Sequence, residues 1–266
     1  GFTVGADTDY ADTTGDGMVA WNWKAGNATL GTGDFTQGTI ASTCSRNVDA
    51  GFSIVSYSGT GSAGTVGHGL SVAPNLVIIK NREKDRSWIV GSVQSLGDMD
   101  FDDIMLLEAT DAKSSSAVYF NDTDPTASVF SVGTSSQTND TAGDDLIAYC
   151  WHSVEGYSKI GSYEGNGDND GVFVYTGFSP AFVMMKRIDA SGKNWLMYDR
   201  ARDPVNDGAF RRLNANGTDV EDGGPEMDWQ SNGFKTKTTN SEMNYDGGYF
   251  LYLAFASVPF KNSNAV

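Results

Sequence analysis

The chain repeats itself, and that self-similarity constrains its architecture more than any local pattern does. Phe2-Thr3-Val4-Gly5 leads through Gly15 to Met18-Val19-Ala20-Trp21-Asn22-Trp23. Phe130-Ser131-Val132-Gly133 leads through Gly143 to Leu146-Ile147-Ala148-Tyr149-Cys150-Trp151, and Phe234-Lys235-Thr236-Lys237 leads through Gly247 to Tyr249-Phe250-Leu251-Tyr252-Leu253-Ala254-Phe255. In all three copies 21 residues separate the leading Phe from the closing aromatic. An opening motif occurs twice, as Ile54-Val55-Ser56-Tyr57-Ser58-Gly59-Thr60-Gly61 and Ile160-Gly161-Ser162-Tyr163-Glu164-Gly165-Asn166-Gly167. Ala73-Pro74-Asn75-Leu76-Val77-Ile78-Ile79-Lys80 is matched by Ser179-Pro180-Ala181-Phe182-Val183-Met184-Met185-Lys186, and Trp88-Ile89-Val90 by Trp195-Leu196-Met197. The offset is 106 residues for the first two pairs and 107 for the tryptophans, the length of a small domain.

Two complete units therefore follow the tail of a third. Residues 1–23 read as the closing hairpin of a preceding partial repeat, 24–50 as a linker or arm without strand or helix periodicity, 51–153 and 154–260 as the two repeats, and 261–266 as a tail. A lone hairpin is marginal in water, so residues 1–23 are expected to pack on a sandwich, to add to a sheet of a neighbouring copy, or to belong to a longer chain. The start at Gly1 is read as processed or cut. The short junction Ser153–Tyr157 predicts two units packed rigidly together.

Within the first unit the apolar runs are short: Phe52 to Tyr57, Leu76 to Lys80, Trp88 to Val90, Ile104 to Leu107, Ala117 to Phe120, Phe130 to Val132 and Leu146 to Trp151. Clusters of Gly, Asn, Asp and Ser separate them, which is hairpin chemistry. The expected fold is all-β, two tandem antiparallel β-sandwich repeats, jelly-roll-like, with no helix. The closing run is apolar on both faces, with Ile147, Tyr149 and Trp151 on one and Leu146, Ala148 and Cys150 on the other, which places it centrally in a sheet. Trp88 and Trp195 are expected at equivalent, largely buried positions.

The balance of 18 Lys+Arg against 34 Asp+Glu leaves a net charge of -16, which excludes a phosphate-binding surface and hence nucleic acid as a partner. No apolar run approaches a membrane span, so no membrane insertion is expected, and no signal peptide is visible. Cys44 and Cys150 form neither a disulfide framework nor a metal pattern, and Cys150 reads as a small buried hydrophobe.

Candidate chemistry is sparse. His68 and His152 lack the Cys/His neighbours that a zinc site needs, and no nucleophile elbow accompanies them. Asp98, Asp100 and Asp102 alternate as calcium ligands do, but Asp103 stands where an EF-hand needs Gly and Ala109 where it needs Glu. Asp168 and Asp170, near Glu164, are the second candidate calcium loop, equally readable as a solvated turn. Asp219, Glu221 and Asp222 supply carboxylates of the kind a glycan hydrolase pairs across a cleft. Asn-x-Thr at Asn27, Asn121, Asn139 and Asn216 reads as turn material, and Tyr10, Tyr119 and Tyr245 are aromatics that stack on sugars or pack in hairpins. No catalytic or cofactor residues are assigned.

Several long motifs in order resemble the repeat domains of virion-structural and tail-fibre-like proteins of marine bacteriophages. They are the stretches Gly51 to Gly61, Gly67 to Lys80, Tyr119 to Gly133, Ala148 to Trp151, Gly156 to Gly167 and Val174 to Arg187. The resemblance spans residues 1–260 and implies a non-enzymatic structural protein on the exterior of a virion, as a fibre, capsid decoration or baseplate part. Its implied partners are other virion proteins and copies of itself, as a homo-oligomer. A receptor- or glycan-binding adhesion module recognising host surface glycan is the second reading, and a polysaccharide-degrading enzyme the third.

Overall fold

The computed structural model describes residues 3, 5, 17–26, 28–141, 143–206, 210–224 and 226–258. The first half contains β1 (Thr29–Leu30), β2 (Ser42–Asn47), β3 (Phe52–Ser58), β4 (Gly64–Gly67), β5 (Leu76–Asn81), β6 (Ile89–Ser92), β7 (Asp103–Leu106), β8 (Ser114–Ser115), the one-turn helix α1 (Ala117–Phe120), β9 (Val129–Val132) and β10 (Asp145–Trp151). The second half contains β11 (Ser158–Glu164), β12 (Phe173–Tyr175), β13 (Pro180–Arg187), β14 (Trp195–Asp199), β15 (Phe210–Asn214), β16 (Asp222–Gly224), β17 (Met227–Gln230), β18 (Gly233–Thr236) and β19 (Tyr249–Ala256). Pairings between these strands are antiparallel throughout. No helix among the described residues is long and apolar enough to cross a membrane.

The main sheet of the first unit runs β1-β2-β3-β10-β5-β6-β7-β8, and that of the second runs β11-β19-β13-β14-β15-β16. Without β1 and β2 the two orders coincide strand for strand, so the sequence repeat is a repeat of topology. Each main sheet faces a smaller one, β4-β9 in the first unit and β12-β18-β17 in the second. The closing strands are central: β10 lies between β3 and β5, and β19 between β11 and β13.

Strand alternation sends side chains to both faces of each main sheet, and both faces are covered. From β10, Leu146, Ala148 and Cys150 join Val55, Tyr57 and Phe130 in the core beneath β4-β9. From β19, Phe250, Tyr252 and Ala254 join Tyr163, Met185 and Phe234 beneath the three-stranded sheet. The opposite faces meet each other: Phe52, Leu76, Ile78 and Trp151 of the first unit share a third core with Phe182, Trp195, Leu251, Leu253 and Phe255 of the second. The molecule is thus four layers of sheet around three cores. That arrangement explains why the closing strands are apolar on both sides.

Two expectations are corrected. Residues 24–50 are not a bare linker, because β2 pairs with β3 along its length, from Ser42 opposite Tyr57 to Asn47 opposite Phe52. Its alternation escapes notice because the residues turned inward are Ser42 and Cys44 rather than aliphatics. Ala117 to Phe120 forms α1 rather than a strand, closed by Asn121 in the left-handed region at φ 56°, a conformation that Asn tolerates. The turn drives Phe120 against Phe101 at a ring-centroid distance of 4.8 Å.

Most of the expected hairpin at 1–23 lies outside the described residues. The part that is described packs on the second sandwich. Trp21 and Trp23 each meet Phe182 at 5.6 Å, Trp23 meets Phe255 at 5.5 Å, and Trp21 Nε1 donates to Asp199 Oδ2 at 3.2 Å.

Candidate functional site

Two constellations of polar groups recur in both units. The first locks the opening motif. Tyr57 OH donates to Thr138 O and Tyr163 OH to Met243 O, both at 2.7 Å, from inside the two cores. The neighbouring Asn139 and Asn244 are fully buried. Asn139 Oδ1 accepts from Thr60 N at 2.7 Å and Gly61 N at 3.3 Å, while its Nδ2 donates to Ser62 O at 2.7 Å and Gly133 O at 2.8 Å. Asn244 Oδ1 accepts from Asn166 N at 3.0 Å, and its Nδ2 donates to Asn166 Oδ1, Asp168 O and Thr238 O at 2.8 to 2.9 Å. Glycine is required where the chains cross: a Cβ on Gly59 would stand 2.4 Å from Asp140 O, and one on Gly165 2.3 Å from Tyr245 O.

The second constellation is a corner between the strand that carries Lys80 or Lys186 as its penultimate residue and the following tryptophan. Trp88 N donates to Glu108 Oε2 at 3.0 Å and Trp195 N to Asn216 Oδ1 at 2.7 Å. Ser87 N donates to Gln137 Oε1 at 3.2 Å and Asn194 N to Glu242 Oε1 at 3.1 Å. In the second unit the corner is closed by the first. Trp195 Nε1 donates to Leu106 O at 2.8 Å, and Lys186 Nζ to Thr110 O at 3.2 Å and Lys193 O at 2.7 Å. In the first unit the corner is open: Trp88 is half-buried, and with Lys80, Asp85, Glu108 and Gln137 it borders a depression of about 450 Å³. Trp88 and Trp195 are therefore equivalent in sequence and pairing, but not in burial: the indole of Trp195 is met by Leu106 of the other unit, whereas that of Trp88 borders the open depression.

Beside the open corner the main sheets part. Leu107 and Ala215 each follow the strand next to their tryptophan, donating from N to Trp88 O and Trp195 O. Both line a cleft of about 460 Å³, whose walls also include Trp88, Tyr149, Met184 and Met197. Trp88, Tyr149, Trp151 and Phe52 stand in it as a row of near-parallel rings, with centroids 6.3, 6.1 and 4.8 Å apart and tilts of 25°, 20° and 20°.

Among the described residues, buried Lys186 has backbone carbonyls rather than a carboxylate within ion-pair reach, and burial pulls its pKa down to about 8. The unfolded chain binds the proton more tightly, so stability should rise as pH increases from about 8 toward 10.5. Above pH 10 the buried Tyr57, Tyr163 and Tyr198, whose pKa values burial raises, oppose the gain. A gain of about 2 kcal/mol between pH 8 and 9.5, read as urea midpoints and absent in Lys186→Met, is the expected result.

Both histidines bond backbone groups. His68 is fully buried, Leu70 N donates to its Nδ1 at 3.1 Å, and its Nε2 donates to Thr126 O at 3.0 Å. Burial lowers its pKa to about 4, so stability should fall as pH drops from 6.5 toward 4, by up to about 3 kcal/mol. Denaturation midpoints at pH 7 and 4.5, compared with His68→Gln, check this. His152 Nδ1 bonds Ser153 O at 2.9 Å. Cys44 and Cys150 are free thiols, fully buried, and burial raises both pKa values, that of Cys44 to about 11.

Among the described residues one group of three acidic or metal-ligating side chains converges, Asp100, Asp102 and Asp103, within 4.8 Å. Asp98 contributes its carbonyl rather than its carboxylate, accepting from Lys113 Nζ at 2.5 Å, and Lys113 also pairs with Asp103 at 2.5 Å. The hydrogen bond that protonated Asp102 donates to the Asp100 carboxylate raises the pKa of Asp102 to about 6 and lowers that of Asp100, so the two share a proton on the acid side of neutrality. Asp168 and Asp170 sit in one turn, with Asp170 N donating to Asp168 Oδ1 at 2.8 Å, and Lys235 neutralises Asp170 at 2.5 Å. Glu221 pairs with Arg202 at 2.7 Å and Asp222 with Arg212 at 2.7 Å, while Asp219 is exposed.

Tyr119 OH accepts from Gln137 Nε2 at 3.1 Å, and the Arg187 guanidinium covers the Tyr245 ring at 4.1 Å. Asn121, Asn139 and Asn216 cap, lock and orient backbone as described above, and Tyr10 and Asn27 lie outside the described residues.

The molecule is an all-β protein of tandem sandwiches fused through a shared core. It belongs to the family described as a domain of unknown function, DUF7483, whose model matches residues 1–259 as one unit and so takes in both sandwiches. Searches of curated proteins and of solved structures bring no match.

Proposed function

We propose that the chain is a non-enzymatic structural protein of a bacteriophage virion, displayed on the particle exterior as part of a fibre or capsid decoration. The fused core carries this reading. Two sandwiches joined by Trp195, Phe182, Leu253 and their partners cannot swing about the short junction, and a stiff pair is suited to spacing or decorating. The repeat motifs resembling those of phage virion proteins support it, and the net charge of -16 suits an exposed, soluble surface. Its partners are other virion proteins and copies of itself. The polar groups that recur between units, Asn139 with Asn244 and Tyr57 with Tyr163, serve the backbone rather than a ligand.

Electron microscopy of intact particles labelled with antibody to this chain tests the reading. Label on the outer surface is expected, and a chain found only in the soluble fraction of the lysate would sink it.

A further inference from the structure

The two units differ at the sheet edge formed by β4 in the first and β12 in the second. Thr65 in β4 and Phe173 in β12 hold the same place, each preceding the valine, Val66 or Val174, that pairs with Phe130 or Phe234. On β4 the edge is closed by the chain itself. Thr39 N and Ile40 N both donate to Thr65 O at 2.9 Å, and Thr65 N donates to Thr39 Oγ1 at 2.9 Å. Phe35 and Gln37 fill the space beside Gly67, where a Cβ would meet each at 2.7 Å.

On β12 no strand closes that edge among the described residues, and the sheet order ends there. Thr236 N donates to Val172 O at 3.0 Å, which makes Val172 and Val174 the residues turned toward β18. By antiparallel alternation the N–H and C=O groups of Phe173 and Tyr175 point outward. Their side chains are 46% and 61% exposed, where the first unit has Thr65 and Gly67. Phe173 lies over Gly233 and Tyr175 beside Gly177, so two aromatic rings flank a backbone edge that no described strand pairs.

We propose that β12 pairs antiparallel with the β12 of a second copy of this chain, about a two-fold axis through Val174. In that register Phe173 of each copy faces Tyr175 of the other, and both pairs exchange N–H···O=C bonds. The rings then form cross-strand aromatic pairs on the outer face. A second copy is the fitting occupant because the pairing is self-complementary and consumes one free edge per chain. The segment that closes the equivalent edge in the first unit, around Thr39 and Ile40, is already engaged on β4. The dimer closes both edges and extends the small sheets into one continuous sheet. Since each copy carries a net charge of -16, repulsion opposes association, and added salt strengthens it.

Sedimentation equilibrium of the full chain at about 100 µM and about 0.15 M salt is expected to give a mass approaching twice 28.4 kDa, rising with salt. Phe173→Thr with Tyr175→Gly, which installs the first unit's residues, is expected to return the monomer mass with an unchanged circular dichroism spectrum. Phe173→Cys with Tyr175→Cys should give a cross-linked dimer on oxidation, since paired strands bring the Cα atoms within disulfide range. A native chain that stays monomeric overturns the pairing, as does a dimer that survives the Thr/Gly substitutions. A sample of dimer mass that fails to cross-link overturns the register.

Discussion

Trp195→Ala is expected to destabilise the protein by about 4 to 5 kcal/mol, and Trp88→Ala by about 2 kcal/mol. Trp195 is 1% exposed in the core between the sandwiches, and its indole N–H is spent on Leu106 O. Truncation removes the buried ring, leaves a cavity and strands a carbonyl. Trp88 has the same motif and the same backbone bond to a side-chain acceptor, but its ring borders an open depression. Urea midpoints at constant slope measure both. Equal costs for the two tryptophans would mean that the first unit's loop does not set the difference between them.

The second large effect is expected at the buried asparagines. Asn139→Ala leaves Thr60 N, Gly61 N, Ser62 O and Gly133 O without their side-chain partner, and should cost about 3 to 4 kcal/mol. Asn244→Ala should cost about the same, because its partners are as numerous. Asn→Asp at either position keeps the volume and one acceptor but exchanges the donor for a charge against carbonyl oxygens. It should therefore be no milder than alanine. A mild Asp variant in the same urea titration would show that the side chain fills space rather than locking the loop.

The strand-level plan was legible because Leu146 to Trp151 and Leu76 to Lys80 recur with their neighbours at fixed offsets. The two apolar faces of Leu146 to Trp151 also marked it as a central strand. The arm was not legible, since β2 turns Ser42 and Cys44 inward and so carries no aliphatic rhythm. Nor were the locks: Asn139 and Asn244 act 79 and 78 residues from the turns they hold, inside stretches rich in turn residues. The cue was that each follows the opening Tyr at nearly the same distance, a spacing visible only once the tyrosines are known to be anchored there. Trp88 and Trp195 show a different limit. Their local sequence is shared, and what differs is a contact between units: Leu106 of the first unit meets the indole of Trp195, and the indole of Trp88 borders an open depression.

The shared core also bears on synthesis. The first sandwich emerges from the ribosome with Phe52, Leu76, Ile78 and Trp151 already aligned on one sheet face and no second sheet to cover them. At about 5 to 20 residues per second, the second unit takes several seconds to follow. Throughout that interval the nascent chain displays a broad apolar surface beside strands of closely similar pattern on neighbouring ribosomes. Dense translation of this chain therefore carries a built-in hazard of pairing between molecules, and chaperone supply during synthesis should govern its yield more than its final stability does.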